Sequence, residues 1–152
     1  MAATAYNAAV VFLHGSGDDG EGIRMGLMSH TRGAWESELT SAGIKAVYPD
    51  APTIPYTLNG GFPQSVWFDR IDMAYDAPED KEGMARSVEQ VDKEIDKLVA
   101  EGIPVERIAV SGFSMGSAVA LHVGYGSGRY SGKLAAVSSF SSFLAADSGL
   151  DA

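Results

Sequence analysis

Ser114 is the residue best placed to start chemistry, because Gly112, Phe113, Ser114, Met115 and Gly116 spell G-x-S-x-G between an apolar run and a row of small residues. In that pattern a tight strand-to-helix turn lifts a serine hydroxyl above the sheet edge, where it can attack a carbonyl carbon. Side chains at positions 112 and 116 would crowd such a turn, and glycine removes the conflict. The backbone amide of Met115 then sits where it can help bind an oxyanion. The plainer alternative is that Ser114 only caps a helix, but a cap does not need glycine at both flanking positions.

A second turn, His14-Gly15-Ser16, follows the apolar run 8–13 and offers the Ser16 amide as the other half of an oxyanion hole. The same loop also satisfies G-x-G-x-x-G through Gly15, Gly17 and Gly20, with Asp50 ending the next strand, which is the spelling of a dinucleotide site. Asp18, Asp19 and Glu21 argue against it, since they would meet a pyrophosphate with negative charge where a helix N-terminus should greet it. No lysine follows in P-loop register. Trp67, Phe68 and Tyr56 lie in the aromatic-rich stretch 49–77 and either line an acyl groove beside the serine or anchor a long loop to the domain.

The elements that must position these turns alternate. Apolar runs at 8–13, 44–48, 108–110 and 134–137 read as strands, while 34–42, 79–101 and 117–125 read as helices. The surest helix is 79–101, where Met84, Val88, Val91, Ile95 and Leu98 form one apolar stripe. Asp76 is expected to cap it, with Glu79 three positions on and Pro78 in the first turn. Residues 22–28, GIRMGLM, look interrupted by Gly26, His30 reads as a loop histidine, and 49–77 reads as structureless. Strand and helix in alternation predict parallel pairing by right-handed crossovers.

Composition bounds the function. A chain of 152 residues is one domain with room for a core, and a formal charge of −9 lacks the basic surface that nucleic acid or an anionic membrane requires. Zero cysteine excludes disulfides, zinc-thiolate sites and a cysteine nucleophile. No stretch reads as a signal peptide or membrane span, so no stable membrane insertion is expected, and the expected location is cytoplasmic.

With these motifs in view, the chain resembles the acyl-protein thioesterase family of α/β-hydrolases, also called the phospholipase/carboxylesterase family, and looks closest to its lysophospholipase-like branch. The resemblance rests on FLHGSGDDGEG at 12–22, YPDAP at 48–52, SVWFDR at 65–70, GIPVERIAVSGFSMGSAVALH at 102–122 and LAAVSSF at 134–140. It implies a three-layer α/β/α domain over 1–152 with a mostly parallel sheet, a partial α/β-hydrolase fold. It implies Ser114 as nucleophile, Ser16 and Met115 as oxyanion-hole amides, Trp67 and Phe68 as substrate-binding aromatics, and no cofactor or metal. Implied substrates are small acyl esters or acylated proteins. The family keeps its acid and base after the strand corresponding to 134–138, in the order Ser, Asp, His. Here the only histidines are His14, His30 and His122, none of them in that place, and Asp147 and Asp151 have no evident role. His122 lies eight positions beyond Ser114, about 12 Å along a helix, too far to take its proton. The resemblance therefore implies an incomplete, nearly inert domain whose free sheet flank favours association between copies.

Overall fold

A computed structural model describes residues 6–150. Four parallel strands, β1 (Ala8–Leu13), β2 (Ile44–Val47), β5 (Ile108–Phe113) and β6 (Ala136–Phe140), form a sheet in the order β2-β1-β5-β6. β1 and β5 lie in the middle, and β1 is buried on both faces, which is why its sequence is a continuous apolar run instead of an alternation. The register pairs Val11 with Val110 and Leu13 with Gly112, so both strands reach the same end of the sheet and deliver the two glycine-rich turns there. The strand order reverses direction about β1, and clefts of open parallel sheets form at such points.

Helices α3 (Lys81–Ala100) and α4 (Met115–Tyr125) cover one face. The predicted stripe Met84, Val88, Val91, Ile95 and Leu98 is buried there with Val11, Leu13, Ile108 and Val110. Helices α1 (Gly20–His30) and α2 (Ala34–Ser41) lie on the other face, where Trp35 meets Phe12 edge-on with ring centroids 5.8 Å apart. The three layers are those expected.

Several boundaries differ from the sequence reading. Residues 20–30 form a helix in spite of Gly26, because Asp19 accepts a hydrogen bond from the Gly22 amide and caps its start. Arg24 adds bonds to Glu21 and Glu36 that hold α1 to α2. His30 therefore ends a helix, with Nδ1 2.7 Å from the Gly26 carbonyl oxygen. Helix α3 starts at Lys81 and is capped by Asp80, not Asp76. One Asp80 oxygen accepts from Gly83 and the other from the Asp69 amide, so the cap also ties down the preceding loop. The stretch 49–77 contains an antiparallel pair, β3 (Thr53–Pro55) and β4 (Pro63–Ser65), joined through a 3₁₀ turn that Asp69 fastens by accepting from the Thr57 amide and hydroxyl. The last strand runs to Phe140 because its ladder follows β5 up to Phe113.

One buried charge works against this core. Asp92, 3% exposed on α3, accepts from the Arg129 amide at 2.9 Å through Oδ2, while Oδ1 has no partner among the described residues. Burial pushes its carboxyl above the usual carboxylate value, against the lowering influence of that amide and of the Arg129 charge. A folded-state pKa raised above the unfolded one means that the native protein holds the extra proton, so stability falls as pH rises through that window. Asp92→Asn is accordingly expected to raise the melting temperature more at pH 7 than at pH 4, as read by thermal denaturation at both pH values.

Candidate active site

Ser114 occupies the junction between β5 and α4 with φ 52° and ψ −119°. A non-glycine residue at positive φ is strained, and such strain collects at functional positions. The surroundings hold it there. Its amide donates to the Phe140 carbonyl at 2.9 Å, and its own carbonyl accepts from the Ser117 amide and hydroxyl at 3.0 and 2.9 Å. Although Ser114 stands at the N-cap position, its side chain makes no capping hydrogen bond, so the capping alternative fails. The residue is half-buried.

The two elbow glycines are required by close approach. A Cβ on Gly112 would fall 2.4 Å from the Gly116 carbonyl, and one on Gly116 would fall 2.4 Å from the His14 carbonyl oxygen. The second contact brings the two turns together. A Cβ on Gly15 would likewise lie 3.4 Å from Cβ of Ser114, so the His14–Ser16 turn packs directly against the serine. The Met115 amide opens α4, and no described residue accepts from it. No described residue accepts from the Ser16 amide. Both expected donors are thus uncommitted at one end of the sheet.

The loop that carries Ser16 is held from behind by the segment 50–67. The fully buried His14 ring accepts from the Ala51 amide at 2.9 Å through Nε2, which leaves the proton on Nδ1 to donate to the Gly15 carbonyl at 2.7 Å. Trp67 Nε1 donates to the His14 carbonyl at 2.8 Å, Gly17 donates to the Ser65 carbonyl at 2.8 Å, and Gly20 donates to Asp50 Oδ1 at 2.7 Å. His14 is therefore a strut.

Trp67 and Phe68 do not line a groove in this fold. They are 1% and 2% exposed and belong to the core. The physical reason is visible for each: the Trp67 indole satisfies its N–H on the His14 carbonyl, and Phe68 packs against Phe143 at 6.2 Å between ring centroids. Tyr56 is buried as well. Sequence reasoning missed the apolar cavity beside the elbow, about 590 Å³ and lined by Phe12, Leu27, Trp35, Phe113 and Phe140. Its walls come from five separate elements, β1, α1, α2, β5 and β6, and no local pattern announces it.

No histidine serves the serine. His14 has both nitrogens bonded, His30 turns back on its own helix, and His122 Nε2 lies 3.0 Å from Glu79 Oε1 with both side chains buried. Asp147 accepts from the Glu79 amide at 3.0 Å, which gives it a structural role in pinning the segment after β6.

The profile of the phospholipase/carboxylesterase family matches residues 2–151. Acyl-protein thioesterase 1 of Schizosaccharomyces pombe is 39% identical over 140 residues, which cover 92% of this chain and 58% of that protein. Lysophospholipase-like protein 1 of Mus musculus is 40% identical over 121 residues, 79% of this chain and 48% of that protein. The crystal structure of Zea mays acyl-protein thioesterase 2 superposes with a TM-score of 0.70 at 32% identity, covering 96% of this chain and 61% of its own. The chain thus spans about half to three-fifths of the length of these relatives.

Removing the strut exposes its function. His14→Ala leaves the Ala51 amide and the Gly15 carbonyl buried without partners, a loss of about 2–5 kcal/mol that urea denaturation should read.

Proposed function

This chain belongs to the phospholipase/carboxylesterase family, and on that premise we propose that it is the nucleophile-bearing part of a serine hydrolase that cleaves acyl esters or thioesters. The observation that carries the reading is Ser114, held at positive φ with a hydroxyl that caps nothing, against the Gly15 turn. The Ser114 oxygen attacks the acyl carbonyl carbon, and the resulting oxyanion is held by the amides of Ser16 and Met115. Collapse of the tetrahedral species breaks the bond to the alcohol or thiol, which leaves with a proton. Water then repeats the sequence on the acyl-serine and releases the acid.

The serine proton needs a base, and none of His14, His30 and His122 is placed to take it. Removing the histidine of the subtilisin triad costs about 10⁶ in kcat, so the residues described here are expected to turn over esters very slowly unless a base comes from elsewhere. Substrates of the proposed reaction are small acyl esters or acylated proteins, in keeping with the names of the yeast and maize thioesterases. The proposed setting is the cytoplasm; no helix among the described residues is long and apolar enough to cross a membrane. Among the described residues β6 is the last strand on one side of the sheet, and its outer flank invites association between copies, which sedimentation velocity across protein concentrations would register as a shift to faster species.

A second reading, a ligand-binding module that does no chemistry, draws on the engagement of all three histidines away from Ser114. A fluorophosphonate probe separates the two. In the protein with its base supplied, covalent labelling located at Ser114 by mass spectrometry, and lost in Ser114→Ala, is the expected result. Labelling elsewhere, or reversible ligand binding with no labelling after prolonged incubation, speaks for the binding module.

A further inference from the structure

Asn59 and Gly60 lie at the tip of the β3–β4 hairpin, and both are exposed. The tip needs left-handed backbone, with φ 64° at Gly60 and 80° at Gly61, and Asn-Gly is a pair that such turns favour. The same pair is chemically weak, because asparagine is thermolabile and glycine leaves the following amide nitrogen unshielded. A Cβ on Gly60 would meet only the Phe62 ring, at 3.7 Å, and one on Gly61 would meet nothing within 4 Å, so the tip is open on its glycine side. No described residue hydrogen-bonds the Asn59 carboxamide. The Gly60 amide donates to the Thr57 carbonyl at 3.1 Å, and an exposed bond of this kind opens at little cost. Two other places in the chain are protected where this one is not. Asn7 precedes Ala8, and its side chain accepts from Arg107 at 3.1 Å. Asp19 precedes a glycine, but its carboxylate accepts from the Gly22 amide, while buried Gly20 donates to Asp50 Oδ1 at 2.7 Å.

We propose that Asn59 is a modification site, where the folded protein deamidates spontaneously. The Gly60 nitrogen, released from Thr57 and losing its proton to solvent base, attacks Asn59 Cγ. A C–N bond forms, and the Cγ–Nδ2 bond breaks to release ammonia, which carries the proton away. Water then opens the cyclic imide at one carbonyl or the other and leaves aspartate or isoaspartate at position 59. Only water and solvent base are consumed or required. Each event adds one negative charge to a chain already at −9, in the turn that Asp69 fastens through the Thr57 amide and hydroxyl. Ser114 takes no part in the reaction.

The test is peptide mapping by mass spectrometry after the folded chain is incubated at mildly alkaline pH in water enriched in heavy oxygen, beside a sample unfolded in guanidinium chloride. Heavy oxygen entering at position 59 marks opening of the imide, and electron-transfer fragmentation tells isoaspartate from aspartate. The ratio of the unfolded to the folded rate cancels the intrinsic chemistry and reads the protection that the fold gives. For Asn59 that ratio is expected to stay within about tenfold, equivalent to about 1.4 kcal/mol of local opening. Isomerisation of Asp19, read through the same label, is expected to be slowed by more than about a hundredfold, because freeing Gly20 takes a larger opening. Hydroxylamine is expected to cleave the incubated protein between residues 59 and 60 by trapping the imide. Ser114→Ala is expected to convert at the wild-type rate. Protection of Asn59 as strong as that of Asp19, label entering at Asn7 in preference to Asn59, or conversion without hydroxylamine cleavage overturns the proposal. Loss of the conversion in Ser114→Ala would make it an enzymatic act of the chain, and also overturns it.

Discussion

The close crossing of two backbone turns is the constraint on which this structure depends. The start of α4 passes the His14 carbonyl so tightly that no side chain fits at Gly116. That carbonyl in turn accepts the Trp67 indole N–H, and the ring of the same histidine joins Gly15 to Ala51. A serine at the crest of one turn and uncommitted amides in the other are brought together by packing that leaves little freedom to either. Preorganisation of this kind is what an oxyanion site requires, because donors already aimed at the developing charge need no reorganisation during reaction.

The strained backbone of Ser114 is sustained by ordinary interactions around it. Hydrogen bonds on both sides of the residue, one to the neighbouring strand and two within the helix turn, oppose relaxation to a more common conformation. The parallel ladder from Ala109 to Phe113 extends that support into the sheet. The energetic burden of the bend is thus spread over the core.

The long segment between β2 and α3 plays a larger part than its irregular composition suggests. It supplies the indole under His14, the carbonyl that receives Gly17, the amide that fixes the His14 tautomer, and the hairpin that brings Gln64 to the loop. Its own shape is secured by Asp69, which accepts from the Thr57 amide and hydroxyl and the Arg70 amide, and by Asp80, which accepts from the Asp69 and Gly83 amides. The aromatic residues of this segment act mainly as anchors, and the exposed apolar surface near the elbow comes instead from Phe113 and Phe140.

Much of the architecture was legible from local pattern. The apolar stripe from Met84 to Leu98, the continuous runs of β1 and β5, and the glycines around Ser114 each reflect a physical requirement acting over a few neighbouring residues, and those requirements leave their period or spelling in the chain. Residues 20–30 were misread because the Asp19 cap and the Arg24 pairs outweigh one helix-breaking glycine, and the Asp80 cap was missed because its second bond reaches back to Asp69. The burial of Trp67 and Phe68 was left open by the sequence, since a loop aromatic looks the same whether it faces a groove or the core. The sequence by itself determined the alternating layers, the bend at Ser114 and the lack of a histidine after His122 in these 152 residues. Only the tertiary structure decided which groups His14 bonds, that Gly15 lies against Ser114 and that Gln64 rests on Gly17, because each depends on contact between residues distant in sequence, and such contacts follow from strand register, not from local composition.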